Sequence, residues 1–221
     1  MIHAALANHG DAFLAGYQTA GKGQRGRQWI AKPNENLLFT VVVEPQLLIT
    51  QQFLLSMAAA LACRKLLNNY AQDNISIKWP NDIYWNDRKA GGILIENIIT
   101  NENWKYSVIG IGINLNQVNF EHSGNQPVSL RQITGKVFNV ISFARELAAL
   151  LDEEINSLYH NSEATIQSYN SFLFRLNQVV TLKKDNISSS YKIMGVNQWG
   201  ELLAFSSLEN HFRIGEVEWV L

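Results

Sequence analysis

Residues 78–96 read K-W-P-N-D-I-Y-W-N-D-R-K-A-G-G-I-L-I-E, and their types and order suit recognition of an anion. A proline turn and several charges separate two apolar segments, and Lys89 stands alone at the mouth of the second, ahead of Gly91 and Gly92. A strand, a polar turn and a lysine at a strand mouth present a cation to a small anionic ligand. The glycines let the backbone come close to it. Upstream, Gly21-Lys22-Gly23-Gln24-Arg25-Gly26-Arg27-Gln28-Trp29 gathers three cations on a glycine-rich backbone, the composition of a loop that orders around an anion. The same stretch holds a literal G-x-G-x-x-G. A dinucleotide-binding loop needs a strand before it and a helix starting within it. Here Trp29, Pro33, Asn34 and then a strand follow, so that reading is rejected.

The elements that must carry these residues are legible from periodicity. Leu37–Glu44 is a β-branched apolar run that reads as a buried strand. Thr50 is placed to cap a helix whose apolar positions Phe53, Leu54, Met57, Ala58, Leu61 and Leu66 follow helical spacing. Ile75, Ile77 and Trp79 alternate with Ser76 and Lys78 as in a half-buried strand. Ile93–Ile99 and Tyr106–Ile113 form a hairpin about the turn Thr100–Asn103. Ser142 opens a second helix with Phe143, Leu147, Leu150, Leu151, Ile155 and Leu158 on one stripe, and Glu163–Arg175 reads as a third. Hairpins and helices mix without βα alternation, so the class is α+β, with helices packed on a mixed central sheet. After residue 176 the texture changes to short strands at Gln178–Lys183, Tyr191–Val196, Leu202–Ser206 and Glu216–Val220. The expected division is a catalytic domain over 1–176 and a small β-barrel over 177–221 that packs on it.

Bulk properties narrow the function. With a net charge of −1 the chain has no general attraction for nucleic acid or anionic membrane, so any basic patch is local. The apolar stretches are too short to cross a bilayer and no signal-peptide pattern opens the chain, which points to the cytoplasm. The single cysteine, Cys63, lies among alanines and leucines and reads as a buried apolar residue, which excludes a disulfide framework. Histidines at 3, 9, 122, 160 and 211 lack metal-ligand spacing.

Taken together, the basic loop, K-W-P-N-D, D-R-K-A-G-G-I-L-I-E and G-I-G-I-N at 110–114 resemble, in order and spacing, the successive signatures of the biotin protein ligases. The resemblance runs from about Tyr17 to the C-terminal strands. It implies a class II synthetase-like catalytic domain with a C-terminal SH3-like barrel, and a two-step, ATP-dependent activity. Biotin is activated to biotinyl-5′-AMP with release of pyrophosphate. Biotin then passes to a lysine of a carrier domain, typically the biotin carboxyl carrier protein of acetyl-CoA carboxylase. The resemblance implies Lys89, Arg25 and Arg27 as catalytic, Lys89 bridging biotin's carboxylate and the α-phosphate of ATP. It implies Gln18, Lys22, Gly23, Gln24, Trp79, Lys89, Gly91 and Gly92 at biotin, with Trp79 beneath the ligand. Lys22, Arg25, Arg27, Trp29, Lys78, Asn81, Asp82 and Asn114 would meet ATP or the adenylate. Mg²⁺ would arrive with ATP, with Asp82 or Asn114 as the protein group near it.

Two departures qualify the resemblance. Many members read R-G-R where this chain has Lys22-Gly23-Gln24, which trades two bidentate forks for one point charge and a neutral amide. Members also have a strand ending in Ser-Thr-Asn before this point, and Met1–Gly16 holds no such triplet. A shortened binding module with impaired turnover is therefore one alternative, and a lipoate-type acyl ligase is another. The chain has no room for the helix-turn-helix of repressor-type members, so it is expected to be monofunctional and not to bind DNA. Strands around Tyr106–Asn114 are the candidate for pairing between two copies.

Overall fold

The computed structural model describes residues 7–101, 103–120 and 126–220. His3 and His122, and Met1–Leu6 of the segment searched for Ser-Thr-Asn, lie outside them. The class is α+β. A six-stranded sheet combines β1 (Ala12–Leu14), β2 (Leu37–Val43), β3 (Ile75–Lys78), β4 (Asp82–Trp85), β5 (Arg88–Thr100) and β6 (Asn103–Ile113). Their order is β1-β2-β6-β5-β4-β3, and every ladder between them is antiparallel, so the expected mixed sheet is corrected. Among the described residues, parallel pairing occurs only as isolated bridges, Ile77 with Leu173 and Lys89 with Pro127. β6 is interior, flanked by β2 and β5, so Ser107–Ile113 has no free edge to offer a second copy. The suggested pairing of subunits through this strand is set aside.

The sheet's faces follow from side-chain alternation. Ile109, Ile111 and Ile113 of β6 are buried under α1 (Gln52–Ala71), a helix apolar on almost every side because α3 (Val140–His160) covers its back. Gly110 and Gly112 point to the opposite face. A short 3₁₀ turn, Ile49–Gln51, leads into α1, so Thr50 lies inside that turn and does not cap the helix. Asn139, not Ser142, caps α3. Its side chain accepts from the Ser142 N–H at 2.9 Å, and the helix starts at Val140. A short helix, α2, spans Leu130–Thr134. The last helix, α4, covers Ser162–Ser171 and stops four residues before the expected Arg175.

β7 (Val179–Lys184), β8 (Ile187–Val196), β9 (Leu202–Phe205), β10 (Glu209–Phe212) and β11 (Glu218–Val220) make a second antiparallel sheet in the order β10-β9-β8-β7-β11. Among the described residues no ladder joins β10 to β11, so the sheet is not closed. It packs on the rest of the chain through Trp79, which is 2% exposed and whose Nε1–H donates to the Gly200 carbonyl at 2.9 Å. Replacing Trp79 by Phe keeps most of the ring volume but strands that buried carbonyl. We expect a loss of about 1–3 kcal/mol in urea denaturation.

Candidate functional site

The open face of the first sheet floors a cleft of about 1030 Å³, roofed by residues 17–33 and walled by Ile214–Trp219 of the second sheet. Its floor is a single row of paired residues: Leu38 faces Gly112, Gly112 faces Gly92, and Gly92 faces Asp82. The next row is Thr40, Gly110 and Leu94. Two glycines side by side leave the centre of the floor bare.

One irregularity aims the key lysine. In the β4–β5 ladder Ile83 faces Gly91 but Tyr84 faces Lys89, so Ala90 is an extra, bulged residue. A one-residue bulge reverses which face the following side chains take. In a regular strand Lys89 would share the buried face with Gly91 and Ile93. With the bulge it shares the cleft face with Gly92, Asp82 and Tyr84. Ala90, fully buried, fills the bulge. The lysine's backbone is then pinned from several sides. Its N–H donates to Gln126 O and its carbonyl accepts from Val128 N–H at 2.9 Å and from Asn114 Nδ2 at 3.2 Å.

Lys89 does not stand alone, as its sequence position suggested. Its Nζ lies 2.6 Å from Asp82 Oδ1, with both side chains largely covered, and 5.7 Å from the centre of the Trp29 ring. It is the second residue of β5, at the strand's start as expected. An incoming anion therefore meets a cation already oriented and partly neutralised by Asp82. Lys78 is the more deeply buried cation, 3.3 Å from Tyr84 Oη and above the Tyr84 and Trp219 rings. Burial drives its ammonium down to about 8; Asp82 opposes this, while Lys89 and Arg27 add to it. Burial, reinforced by Asp82, raises the Tyr84 hydroxyl.

The loop of residues 21–29 is closed by its own backbone. Gly23 N–H donates to Arg27 O at 2.7 Å, Trp29 N–H donates to Gly21 O at 3.0 Å, and Lys22 pairs with Gln28, giving a narrow hairpin. Arg25 occupies its tip at φ 56° and lays its guanidinium against Gly215, away from the floor. Arg27 lies near enough to Lys78 for its charge to be felt there.

Of the residues singled out from sequence, all but Gly91 line this one cleft. Gly91 faces the strand beside it: a Cβ there would lie 3.0 Å from Gly112 O. Its small size serves the ladder, not the ligand. Trp79 reaches the wall of the cleft but is committed to Gly200, and Asn81 is committed to the turn through Nδ2 to Ile93 O at 2.8 Å. Asn114 braces Lys89 with its amide and lends its carbonyl to Leu130 N–H. Sequence reasoning missed Gly110 and Gly112 as floor residues, although glycines at alternate positions of an apolar strand are the signal for a bare sheet face. It also missed Gly215 and Trp219, which no local pattern marks.

The model of the biotin/lipoate A/B protein ligase family matches residues 2–114, just over half of the chain. The bifunctional ligase/repressor BirA of Escherichia coli (strain K12) is 32% identical over 148 residues, covering 67% of this chain and 45% of that protein. A biotin--[acetyl-CoA-carboxylase] ligase of Paracoccus denitrificans is 35% identical over 141 residues, covering 61% and 58%. Among solved structures, the biotin protein ligase from Aquifex aeolicus in complex with biotin and ATP superposes with a TM-score of 0.83 at 23% identity, over 97% of this chain and 90% of that one. The chain belongs to the biotin/lipoate A/B protein ligase family. It spans under half the length of the Escherichia coli relative.

The Lys78 ammonium has a consequence for stability. Its folded value of about 8 lies below the ordinary 10.5, so between these pH values the unfolded chain holds the proton that the folded chain has lost. Stability from this group therefore rises with pH across that window, and the penalty is fully present below pH 8. Its size is on the order of 3 kcal/mol. Lys78→Met should be more stable than the parent at pH 7. In urea denaturation at a series of pH values, that advantage should shrink between pH 8 and 10.5.

Proposed function

We propose that the chain is the catalytic part of a biotin protein ligase. Biotin's carboxylate oxygen attacks the α-phosphorus of ATP, the bond to the β-phosphate oxygen breaks, and pyrophosphate leaves. The neutral ε-amine of a carrier lysine then attacks the acyl carbonyl, AMP leaves, and the amine's extra proton is released. The observation that carries this reading is the convergence of Lys89, Asp82, the glycine floor and the basic hairpin on one cleft. The first step joins two anions, and a fixed cation in a water-poor site lowers its barrier by stabilising the charge shared between them. Lys89 is that cation. Gln18, Lys22, Gly23, Gln24 and Gly92 are assigned to the biotin side. Arg25, Arg27, Trp29, Lys78, Asn81 and Asp82 are assigned to the nucleotide side, with Asn114 acting through Lys89. Family membership and the named relatives support the choice of substrates.

The donor set on the cleft face fits Mg²⁺ brought by the nucleotide. Asp82 supplies one carboxylate among cations, which suits an ion held chiefly by phosphates and water. The acceptor would be the carrier domain of a cytoplasmic carboxylase. We assign residues 1–176 to the catalytic domain and 177–221 to an SH3-like small barrel that walls the cleft.

The test is formation of biotinyl-5′-AMP and pyrophosphate from biotin, ATP and Mg²⁺, with lipoate in a parallel reaction. Lys89→Ala should lower adenylate formation by roughly 10²–10³-fold while the melting transition stays cooperative. Turnover near the original level in that variant would remove Lys89 from its assigned role. Adenylation of lipoate but not biotin would favour the lipoate branch of the family, and adenylation of neither would favour a binding module.

A further inference from the structure

We propose that Gly112 is a positioning residue whose bare backbone seats the Trp29 ring on the cleft floor, and that this seat retains the adenylate between its formation and its use. The second half of the proposal rests on the ligase reading above; the first does not. A Cβ on Gly112 would lie 2.5 Å from Trp29 Cε2 and 2.6 Å from Cζ2, so the ring lies flat on the strand where any other residue's side chain would begin. The neighbouring Gly92 is almost as close, its Cβ position 3.3 Å from Trp29 Cζ3. Gly110, one row away on the same face, differs: a Cβ there would meet only Leu94 O at 3.5 Å, an ordinary contact. The glycine requirement at 112 therefore comes from the tryptophan and not from the sheet.

Among the described residues no hydrogen bond holds the ring in place. Trp29 Nε1 is buried with no acceptor among the described residues, so the fit to the glycine floor sets its position. An unpaired buried donor is costly. The atoms that would clash belong to the body of a rigid indole, which cannot step aside as a lysine tip can. Trp29 is bonded to Gly21, and Lys22 is paired with Gln28, so lifting the ring lifts the hairpin that carries Lys22, Arg25 and Arg27. The hairpin's other support is also a glycine: Arg25 rests on Gly215, in the turn between β10 and β11 of the second sheet, whose Cβ position is 3.1 Å from the guanidinium carbon. The loop is thus held by one seat on each sheet, and Gly112 is the rigid one.

The experiment is limited trypsin digestion of the full chain without ligand, with cuts after Lys22, Arg25 and Arg27 mapped by mass spectrometry. Gly112→Ala should be cut at these bonds about tenfold faster or more than the parent. Gly110→Ala should be cut at the parent rate. Trp29→Ala, which removes the ring without crowding the sheet, should be cut fast, and adding Gly112→Ala to it should change nothing further. Parent-like cutting of Gly112→Ala overturns the seat, as does equal acceleration in Gly110→Ala or a further increase in the double variant. With biotin and ATP, Gly112→Ala should release several-fold more adenylate to solution while the rate of adenylate formation falls less. If the variant forms adenylate and retains it as the parent does, the retention role is overturned. If the parent makes no adenylate at all, the ligase reading fails, and the digestion pattern still decides the seat.

Discussion

One extra residue in one strand sets the chemistry of this protein. The bulge at Ala90 turns Lys89 from the buried face of the sheet to the cleft face, where Asp82 meets it at 2.6 Å. Without that reversal the lysine would point to the sheet's other face, which buries Ile93 and Ile111 in an apolar core that could not solvate it. The bulge is secured on both sides: Ala90 lends its carbonyl to Asn114 N–H, and Lys89 shares its backbone groups with Gln126 and Val128. A catalytic cation needs its position fixed in advance, because any reorganisation during reaction adds to the barrier. Here the backbone, and not a ligand, supplies that fixation.

The rest of the cleft is built by omission. Gly92 and Gly112 lie side by side in adjacent strands and leave the sheet without side chains at its centre. An aromatic ring can lie there, and the basic hairpin is brought down with it. The second sheet completes the arrangement from outside, with Trp219 over Lys78, Gly215 beneath Arg25 and Gly200 receiving the Trp79 indole. It is therefore part of the site's walls and not a passive appendage.

Much of this was readable before any coordinates. The long amphipathic stripe of α3 and the β5–β6 hairpin follow from period and composition, the four signature segments were marked by resemblance, and the segments do converge. What sequence could not reveal has physical causes. β1, β4 and β10 are only three or four residues long and carry too little periodicity to register. The β-branched runs identify strands, but antiparallel or mixed pairing depends on partners distant in the chain. Asn139 was passed over because Ser142 is an equally good cap by type, and only geometry distinguishes them. The Lys89–Asp82 pair was hidden by the bulge, which changes facing without leaving a mark in composition. The hairpin's closure was not legible because glycine and charge content describe freedom in the unfolded chain. They do not report the backbone bonds that close it.

The central claim is that the cleft face at Lys89, beside the Trp29 ring, is where the two anions are joined. It is tested most directly by a crystal structure of the chain with a non-hydrolysable biotinyl-adenylate analogue. The account predicts the acyl-phosphate mimic beside the Trp29 ring, within hydrogen-bonding distance of Lys89 Nζ, with the hairpin's cations around it. An analogue bound with its phosphate away from Lys89, and Lys89 still held only by Asp82, would contradict it.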